Sequence, residues 1–132
     1  GACLSRLLLD THVLLWALVS PSRLSRKVRE LLRDPATEVV VSAASAWEIS
    51  TKHRLGKLHE AHAVVESYRD HLRYFQADEL AITSAHALAA GSFSQAHRDP
   101  FDRMLAAQSL LEGLPLVTDD EVFKLFPVAI VW

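Results

Sequence analysis

The sequence predicts a single α/β domain with a mainly parallel central sheet flanked by helices. Short, continuous apolar runs alternate with longer segments that have helical spacing, and this order is typical of a parallel sheet with helical connections. The chain has 132 residues, of which 50% are hydrophobic and 23% are charged, so one domain with a real core is expected. We expect this domain to span residues 7–132.

Residues 1–6 are left out of the predicted domain. The only methionine is Met104, so we expect part of this segment to derive from an expression vector. The single cysteine, Cys3, excludes an internal disulfide and a cysteine-rich zinc site, and it favours a reducing, cytoplasmic location. The apolar run at residues 7–19 contains an acid and is too short to span a bilayer, so we expect no membrane segment.

Four apolar runs predict the strands. Each run is continuous rather than alternating, as expected of strands that are buried on both faces of a parallel sheet. We expect the last strand to lie at an edge, and we interpret residues 80–82 as a brief strand or a connector. The predicted strands are 7–9, 38–42, 116–118 and 128–131.

The helices are predicted from their breakers, caps and apolar spacing. Proline ends the first two helices, and glycine ends three of the later ones. The segment from Glu60 to Phe75 is amphipathic and is predicted to be one helix. The predicted helices are 11–18, 43–54, 60–75, 84–90 and 100–112, with a helical turn at 121–125. One further helix is predicted to begin after Ser22 or Ser25 and to end near residue 33.

Two acids, Asp99 and Asp102, stand at the start of the helix predicted at Pro100. Asp99 can be the N-cap and Asp102 the third-position acid of a capping box. The apolar residues from Met104 to Leu111 predict that this helix is buried on most sides. Capping and cation binding are compatible, because a helix N-terminus keeps both carboxylates ionised.

Further acids follow the other predicted strands. Asp10 follows the first strand, Asp119 and Asp120 follow the third, and Glu48 lies on the helix after the second. The carboxyl ends of parallel strands share one edge of a sheet, where functional groups gather. Each acid also has a local interpretation: Asp10, Asp119 or Asp120 can cap a helix, and Glu48 can pair with Lys52 on the surface.

A cluster of unneutralised carboxylates implies a bound cation or raised pKa values. Ligands that are all acidic oxygens favour Mg²⁺ or Mn²⁺. Such a site can polarise a phosphodiester and activate water. The sequence therefore predicts a divalent metal site at the carboxyl edge of the sheet, if these acids converge.

Four stretches of the sequence carry a resemblance to a known family: LLLDTHVLLW (7–16), VSAASAWEISTKHRLGKL (41–58), DPFDRMLAAQ (99–108) and LVTDD (116–120). They span nearly the whole chain in the family's order. The sequence resembles the PIN-domain ribonucleases, and most of all the VapC-type toxins of bacterial toxin–antitoxin pairs. The resemblance implies a PIN fold and an acidic quartet that binds Mg²⁺ or Mn²⁺ and cuts RNA.

The resemblance also assigns roles and partners. Asp99 is an additional acid at the metal site, and Asp119 beside Asp120 leaves the fourth position open. VapC-like toxins generally dimerise and are held inactive by a cognate antitoxin, so we expect both partners. The apolar residues of the first helix, including Trp16, favour the dimer in addition. The catalytic and metal-binding quartet implied by position is Asp10, Glu48, Asp102 and Asp120.

Basic residues near these acids are candidates for binding RNA phosphates. The formal net charge of −2 excludes a generally basic coat but allows a local groove. Arg98 and Arg103 flank the acidic pair, with an ion pair from Arg103 to Asp99 as the alternative. Trp47 is interpreted as a core or interface anchor rather than as a platform on which a base stacks. The main RNA-binding candidates form one group after Glu48: Lys52, Arg54 and Lys57.

The leading hypothesis is a metal-dependent endoribonuclease toxin that is neutralised by an antitoxin. The alternative is a non-catalytic module of the same fold that binds RNA or a protein partner. A phospho-acceptor receiver shares the acids at the strand ends but needs a lysine after a late strand, and residues 116–118 are followed by acids instead. The RNA target depends on the shape of the groove, which the sequence does not encode.

Overall fold

Five parallel strands form the central sheet of the computed structural model, which describes residues 5–132. The strand order is β3-β2-β1-β4-β5, and every neighbouring pair is parallel. This confirms the predicted α/β fold with β5 at an edge. The strands are β1 (Ser5–Leu9), β2 (Thr37–Ser42), β3 (Asp78–Leu80), β4 (Leu116–Val117) and β5 (Ile130–Val131).

Helices connect the strands and cover the faces of the sheet. Within residues 5–132, no helix is both long and apolar enough to cross a membrane. The helices are α1 (Thr11–Val19), α2 (Arg26–Arg33), α3 (Ala43–Arg54), α4 (His59–Val65), α5 (Tyr68–Tyr74), α6 (Ser84–Ser92) and α7 (Pro100–Glu112), with 3₁₀ helices at Pro21–Arg23 and Glu121–Leu125.

Two elements differ from the sequence prediction. The amphipathic segment predicted as one helix forms α4 and α5, because Ser67 leaves helical geometry with φ −121° and ψ 31°. Both halves still bury the same apolar face, which includes Val64 and Leu72. The sequence favours a brief strand or a connector at 80–82, and the structure has a strand slightly earlier, β3 at Asp78–Leu80. It is a polar edge strand held to β2 by backbone pairing, so apolar spacing could not locate it.

The start of the chain also differs from the prediction. The segment set aside as residues 1–6 is divided, because residues 1–4 lie outside the described part of the chain while Ser5 and Arg6 form the beginning of β1. The origin of this segment remains a prediction. Ser5 and Arg6 pair in register with Thr37 and Glu38 of β2, so the strand is two residues longer than its apolar run.

The core has one cluster on each face of the sheet. Successive residues of a strand point to opposite faces. Leu7 and Leu9 of β1 therefore pack with α1 and α4, while Leu8 packs with Leu105 of α7. In α1, Trp16 is buried with its neighbours in the first of these clusters. The expectation that the apolar residues of α1 provide spare surface for a dimer is therefore wrong for Val13, Leu14 and Trp16, whereas Ala17 and Leu18 are only partly buried.

Helix α7 is buried along its middle, from Leu105 to Ser109, and emerges at its end. Leu105 is buried in the core, but Leu110 and Leu111 are half exposed. The prediction that α7 is buried on most sides is therefore wrong for its last turn, where the helix extends beyond the sheet. Gly113 then ends the helix in the left-handed region at φ 64°, as its position predicted.

The pairing register brings three chain positions to one level at the carboxyl edge of the sheet. Leu9 of β1 pairs with Val41 of β2 on one side and with Val117 of β4 on the other. The next residues, Asp10, Ser42 and Thr118, therefore leave the sheet together. The residues that follow these three strands surround one point, as the strand-end argument predicted.

Candidate acidic active site

A cavity of about 180 Å³ lies at the carboxyl edge of the sheet, where β1 and β4 end. All five acids predicted for the site line it, and they come from separate parts of the chain. A larger cavity of about 390 Å³ lies at the opposite edge, beside Thr37 and Asp78. Functional groups in parallel sheets gather at the carboxyl ends, so we assign the site to the smaller cavity. Its acidic residues are Asp10, Glu48, Asp99, Asp102 and Asp120.

Asp10 is the most buried acid of the site. It caps α1, since its Oδ1 accepts the N–H of Val13 at 2.8 Å, and its Oδ2 accepts a hydrogen bond from the Thr118 hydroxyl. Burial raises the pKa of Asp10 to about 6, although these hydrogen bonds and the charge of His12 oppose the shift. In the described part of the chain, Asp10 has no ion-pair partner. The site thus holds a desolvated carboxylate without a neutralising cation.

Glu48 reaches the cavity from the second turn of α3. Ser42 caps this helix by accepting the N–H of Ala44, so the helix begins directly where β2 ends. Glu48 is buried at 4% exposure and pairs with Lys52 one turn later. The predicted ion pair is therefore present, but it lies inside the cavity and not on the surface.

Lys52 contributes a positive charge to this acidic cavity. Burial lowers its pKa, but the hydrogen bond from its ammonium group to Glu48 and the charges of Glu48, Asp99 and Asp102 outweigh burial, so the pKa is raised overall. Its side chain is 26% exposed, so it retains contact with solvent. Lys52 thus partly neutralises three of the carboxylates around it.

Asp99 and Asp102 behave differently although they share one helix start. Asp99 is the N-cap of α7, as predicted, because its Oδ1 accepts the N–H groups of Phe101 at 2.9 Å and Asp102 at 3.0 Å. The capping box is wrong, since Asp102 instead contacts Nε2 of His97 at 2.8 Å. Burial raises the pKa of Asp102, His97 opposes the shift, and the charges of Asp99 and Glu48 add to it.

Arg103 neither faces the cavity nor pairs with Asp99, so both sequence interpretations of this residue are wrong. Its guanidinium donates only to backbone carbonyls of the end of α6 and the following loop. Because this loop carries His97, Arg103 holds the partner of Asp102 in place. The accepting carbonyls belong to Ala90, Gly91, Phe93, Gln95 and His97, at 2.7 to 3.5 Å.

Asp119 and Asp120 lie in the turn after β4. Asp120 lines the cavity, donates its N–H to the Thr118 hydroxyl oxygen at 3.0 Å, and caps the following 3₁₀ helix by accepting the N–H of Val122. Asp119 is exposed and does not line the cavity, but its charge adds to the raised pKa of Asp10. Both acids therefore lie close to Asp10, and only Asp120 faces the cavity.

The remaining basic and aromatic candidates lie outside the cavity. Arg54 and Lys57 are exposed at the end of α3 and after it, and within residues 5–132 neither forms an ion pair. Trp47 is 58% exposed, so it is no core anchor. Its ring meets the ring of Phe101 edge to face at 4.6 Å.

Two residues of the site were not singled out from the sequence as candidates. His97 lies in a loop without periodicity, and its only signal is its place five residues before Asp102. Thr118 is part of the LVTDD stretch, but its hydroxyl joins Asp10 to Asp120 only once the fold brings β1 and β4 together. The role of Thr118 therefore cannot be inferred without the parallel pairing of these two strands.

The chemistry of the site fits a hard divalent cation. Its donors are carboxylate oxygens, which Mg²⁺ and Mn²⁺ prefer, and the buried carboxylate of Asp10 lacks a counter-charge. Within residues 5–132, however, no three acidic, histidine or cysteine side chains are arranged to hold an ion as they stand. Three of these carboxylates would therefore have to come closer together to share one ion.

Comparison with known proteins identifies the family. The family profile described as PIN domain matches residues 7–128. Ribonuclease VapC16 of Mycobacterium tuberculosis is 33% identical over 75 residues, which are 54% of this chain and 53% of that protein. The chain thus aligns with about half the length of this curated relative.

Two solved structures have a similar fold. A chain of VapBC2 from Rickettsia felis, crystallised with a DNA fragment from the promoter, has a TM-score of 0.65 at 17% identity and covers 96% of this chain and 97% of that chain. A domain of a functionally unknown protein from Methanocaldococcus jannaschii has a TM-score of 0.58 at 14% identity, with coverages of 97% and 90%. These identities show similarity of fold alone. Because the family profile spans nearly the whole sequence, this chain belongs to the PIN domain family.

Proposed function

We propose that this PIN domain is a divalent-metal-dependent endoribonuclease and acts as the toxin of a VapC-type pair. The observation that carries this proposal is the convergence of five carboxylates from separate elements on one cavity at the carboxyl edge of the sheet. The relative VapC16 is named a ribonuclease, which supports the same reaction class. The cell compartment that this function requires is the cytoplasm, where its RNA substrate occurs.

The proposed ligands of the cation are Asp10, Glu48, Asp102 and Asp120, with Asp99 as an additional acid. Mg²⁺ or Mn²⁺ would supply the charge that stabilises the phosphate and the means to activate a water. Asp99 holds the start of α7, and through it Asp102, in position by capping the helix. The choice of Asp120 over Asp119 as the fourth acid is supported by its place in the cavity wall.

The protein's own groups prepare this site. Arg103 holds the loop of His97, and His97 orients the carboxylate of Asp102. The Thr118 hydroxyl links the acids that follow β1 and β4. Lys52 limits repulsion among the carboxylates, and with Arg54 and Lys57 it is proposed to attract RNA phosphates. A bound RNA would thus contact these basic residues with its phosphates while one of its phosphodiester bonds lies at the acidic cavity.

Two protein partners complete the proposal. A cognate antitoxin is supported by the fold shared with the VapBC2 chain. A homodimer rests on the family resemblance, because most residues of α1 that favoured it are buried in the monomer. Sedimentation at micromolar concentration tests the dimer, and a clean monomer would overturn it. Co-expression with the neighbouring upstream reading frame tests the antitoxin, and a complex that still cuts RNA would refute inhibition.

Cleavage of single-stranded RNA in Mn²⁺ or Mg²⁺ tests the catalytic proposal. We expect cleavage by the wild type, loss of cleavage in EDTA, and loss in Asp102→Asn with the fold intact. Asp70→Asn is the matched control, because Asp70 is an exposed acid of α5 that pairs with Arg73 away from the cavity. Metal-independent cleavage, or wild-type activity in Asp102→Asn, would contradict the proposal. Binding of RNA without cleavage would favour the alternative, a non-catalytic binding module.

A further inference from the structure

Trp47 lies beside the acidic cavity without lining it. It directly precedes Glu48 in α3, and its ring contacts Phe101, which lies between Asp99 and Asp102 at the start of α7. Phe101 is buried at 9% exposure, so one contact fixes the indole while most of the ring remains open to solvent. A single exposed tryptophan is ordinary on a protein surface. The position of Trp47, between the two helices that carry Glu48, Asp99 and Asp102, is what indicates a role in binding at this site.

The exposed face of α3 continues from Trp47 to a positive charge. A helix has about 3.6 residues per turn, so Arg54, seven residues later, lies on the same face roughly 10 Å along the axis. Ser50 is exposed between them, and the exposed Lys57 follows the end of the helix. This face therefore offers an aromatic ring, a hydroxyl and the cation of Arg54, and the chain adds the exposed Lys57 just after the helix.

We propose that Trp47 stacks on an unpaired base of a single-stranded RNA while Arg54 contacts a phosphate of the same strand. An aromatic platform beside cations is the combination with which proteins bind single strands. A protein partner fits this face less well, because the residues that follow Trp47 along it are Ser50, Thr51 and Arg54, which are polar or charged, and the exposed Leu55 lies beyond them. This inference rests on the proposed function, since it places an RNA strand across the rim of the proposed cleavage site.

The stacked base need not be of one type. Every base has a π face, so any of the four bases can stack on Trp47. Stacking requires a base that is not already paired in a duplex. Trp47 is thus a positioning residue, which holds the strand so that a neighbouring phosphate lies over the carboxylates. It should act on RNA affinity and KM more than on the chemical step.

The test measures RNA binding in the catalytically blocked Asp102→Asn background, with a short fluorescein-labelled single-stranded RNA followed by polarisation. We expect Trp47→Ala to weaken binding by roughly 5- to 150-fold, the range for losing one stacked base. Trp47→Phe should retain most of the affinity, because its ring can still stack. The matched control is Tyr74→Ala, which removes another highly exposed ring, at 90% exposure, from α5 and should leave affinity unchanged.

Tryptophan fluorescence adds a readout that a purely structural role would not change. Single-stranded RNA should quench the emission of Trp47, and the quenching should be absent in Trp47→Phe although Trp16 and Trp132 remain. A duplex of the same sequence should quench much less. Equal RNA affinity in Trp47→Ala and its parent would overturn the inference. A change of oligomeric state without a change in RNA affinity would also overturn it, and would assign Trp47 to a protein interface.

Failure of this inference is distinguishable from failure of the proposed function. If the wild type cuts RNA with metal and Trp47→Ala has unchanged KM, the ribonuclease proposal stands and the stacking role falls. If the wild type neither cuts nor binds RNA, both fall together.

Discussion

Replacing Asp10 by asparagine tests how strongly the site is held in an unfavourable charge state. The carboxylate is almost completely buried, and its pKa is raised from 3.8 to about 6. A shift of this size corresponds to about 3 kcal/mol between the charged and neutral forms, at roughly 1.4 kcal/mol per pKa unit. Asparagine keeps the shape, the acceptor for the Val13 N–H and a polar group toward Thr118. Asp10→Asn should therefore remove this cost and preserve the cap.

The sign of the pH dependence follows from linkage. The folded state binds more protons than the unfolded chain between pH 3.8 and about 6, because the folded pKa of Asp10 is the higher one. The contribution of Asp10 to the free energy of unfolding is therefore full below pH 3.8 and is lost as pH rises through 6. We expect Asp10→Asn to equal the wild type near pH 4 and to exceed it by about 3 kcal/mol at pH 8 in EDTA.

Urea unfolding of both proteins from pH 4 to pH 8, with EDTA present, measures this difference. Asp120→Asn is the control, because an exposed carboxylate at the same edge has little desolvation to relieve. Adding Mg²⁺ at pH 8 should then stabilise the wild type and leave Asp10→Asn unchanged, since ligands stabilise the state that binds them. A wild type that is the more stable protein at pH 8 in EDTA would refute the reasoning.

Three further substitutions probe the neighbouring groups. Asp99→Asn should reduce RNA cleavage less than Asp102→Asn, because asparagine still caps α7, and equal losses in kcat/KM would place Asp99 in the inner site. Lys52→Met should tighten Mn²⁺ binding on the order of 10-fold, since one competing positive charge is removed, and unchanged affinity in calorimetry would contradict this. Arg103→Ala should lower the free energy of unfolding by about 3 kcal/mol, because several carbonyls lose a charged donor, whereas Arg98→Ala at an exposed position should change it little.

The fold was predictable because its signals are local and agree with one another. The continuous run that contains Leu8 specified a buried strand, and Asp99, Pro100 and Gly113 specified both ends of α7. Residues with weak local signals were misassigned. The polar strand at Asp78–Leu80 is defined by its pairing with β2, which apolar spacing does not record.

The acids of the site were predictable because each follows a strand or starts a helix, and parallel strands bring these positions to one edge. The contact between Asp10 and Thr118 was not predictable, because it joins positions that are 108 residues apart. The pair of Glu48 and Lys52 was predicted from its spacing, but its place inside a cavity whose walls come from other elements was not. Arg103 shows the same limit, since its donors match carbonyls of a loop whose path the sequence does not specify.

Anomalous diffraction from crystals soaked in Mn²⁺ tests the central claim most directly, because it locates the ion and identifies its ligands. The proposed function predicts an Mn²⁺ peak in the cavity with oxygen ligands from Asp10 and Asp102, and loss of that peak in Asp102→Asn. The carboxylates should lie closer together around the ion than they do in this structure. An empty cavity at millimolar Mn²⁺, or a peak held only by residues outside this acidic group, would contradict it.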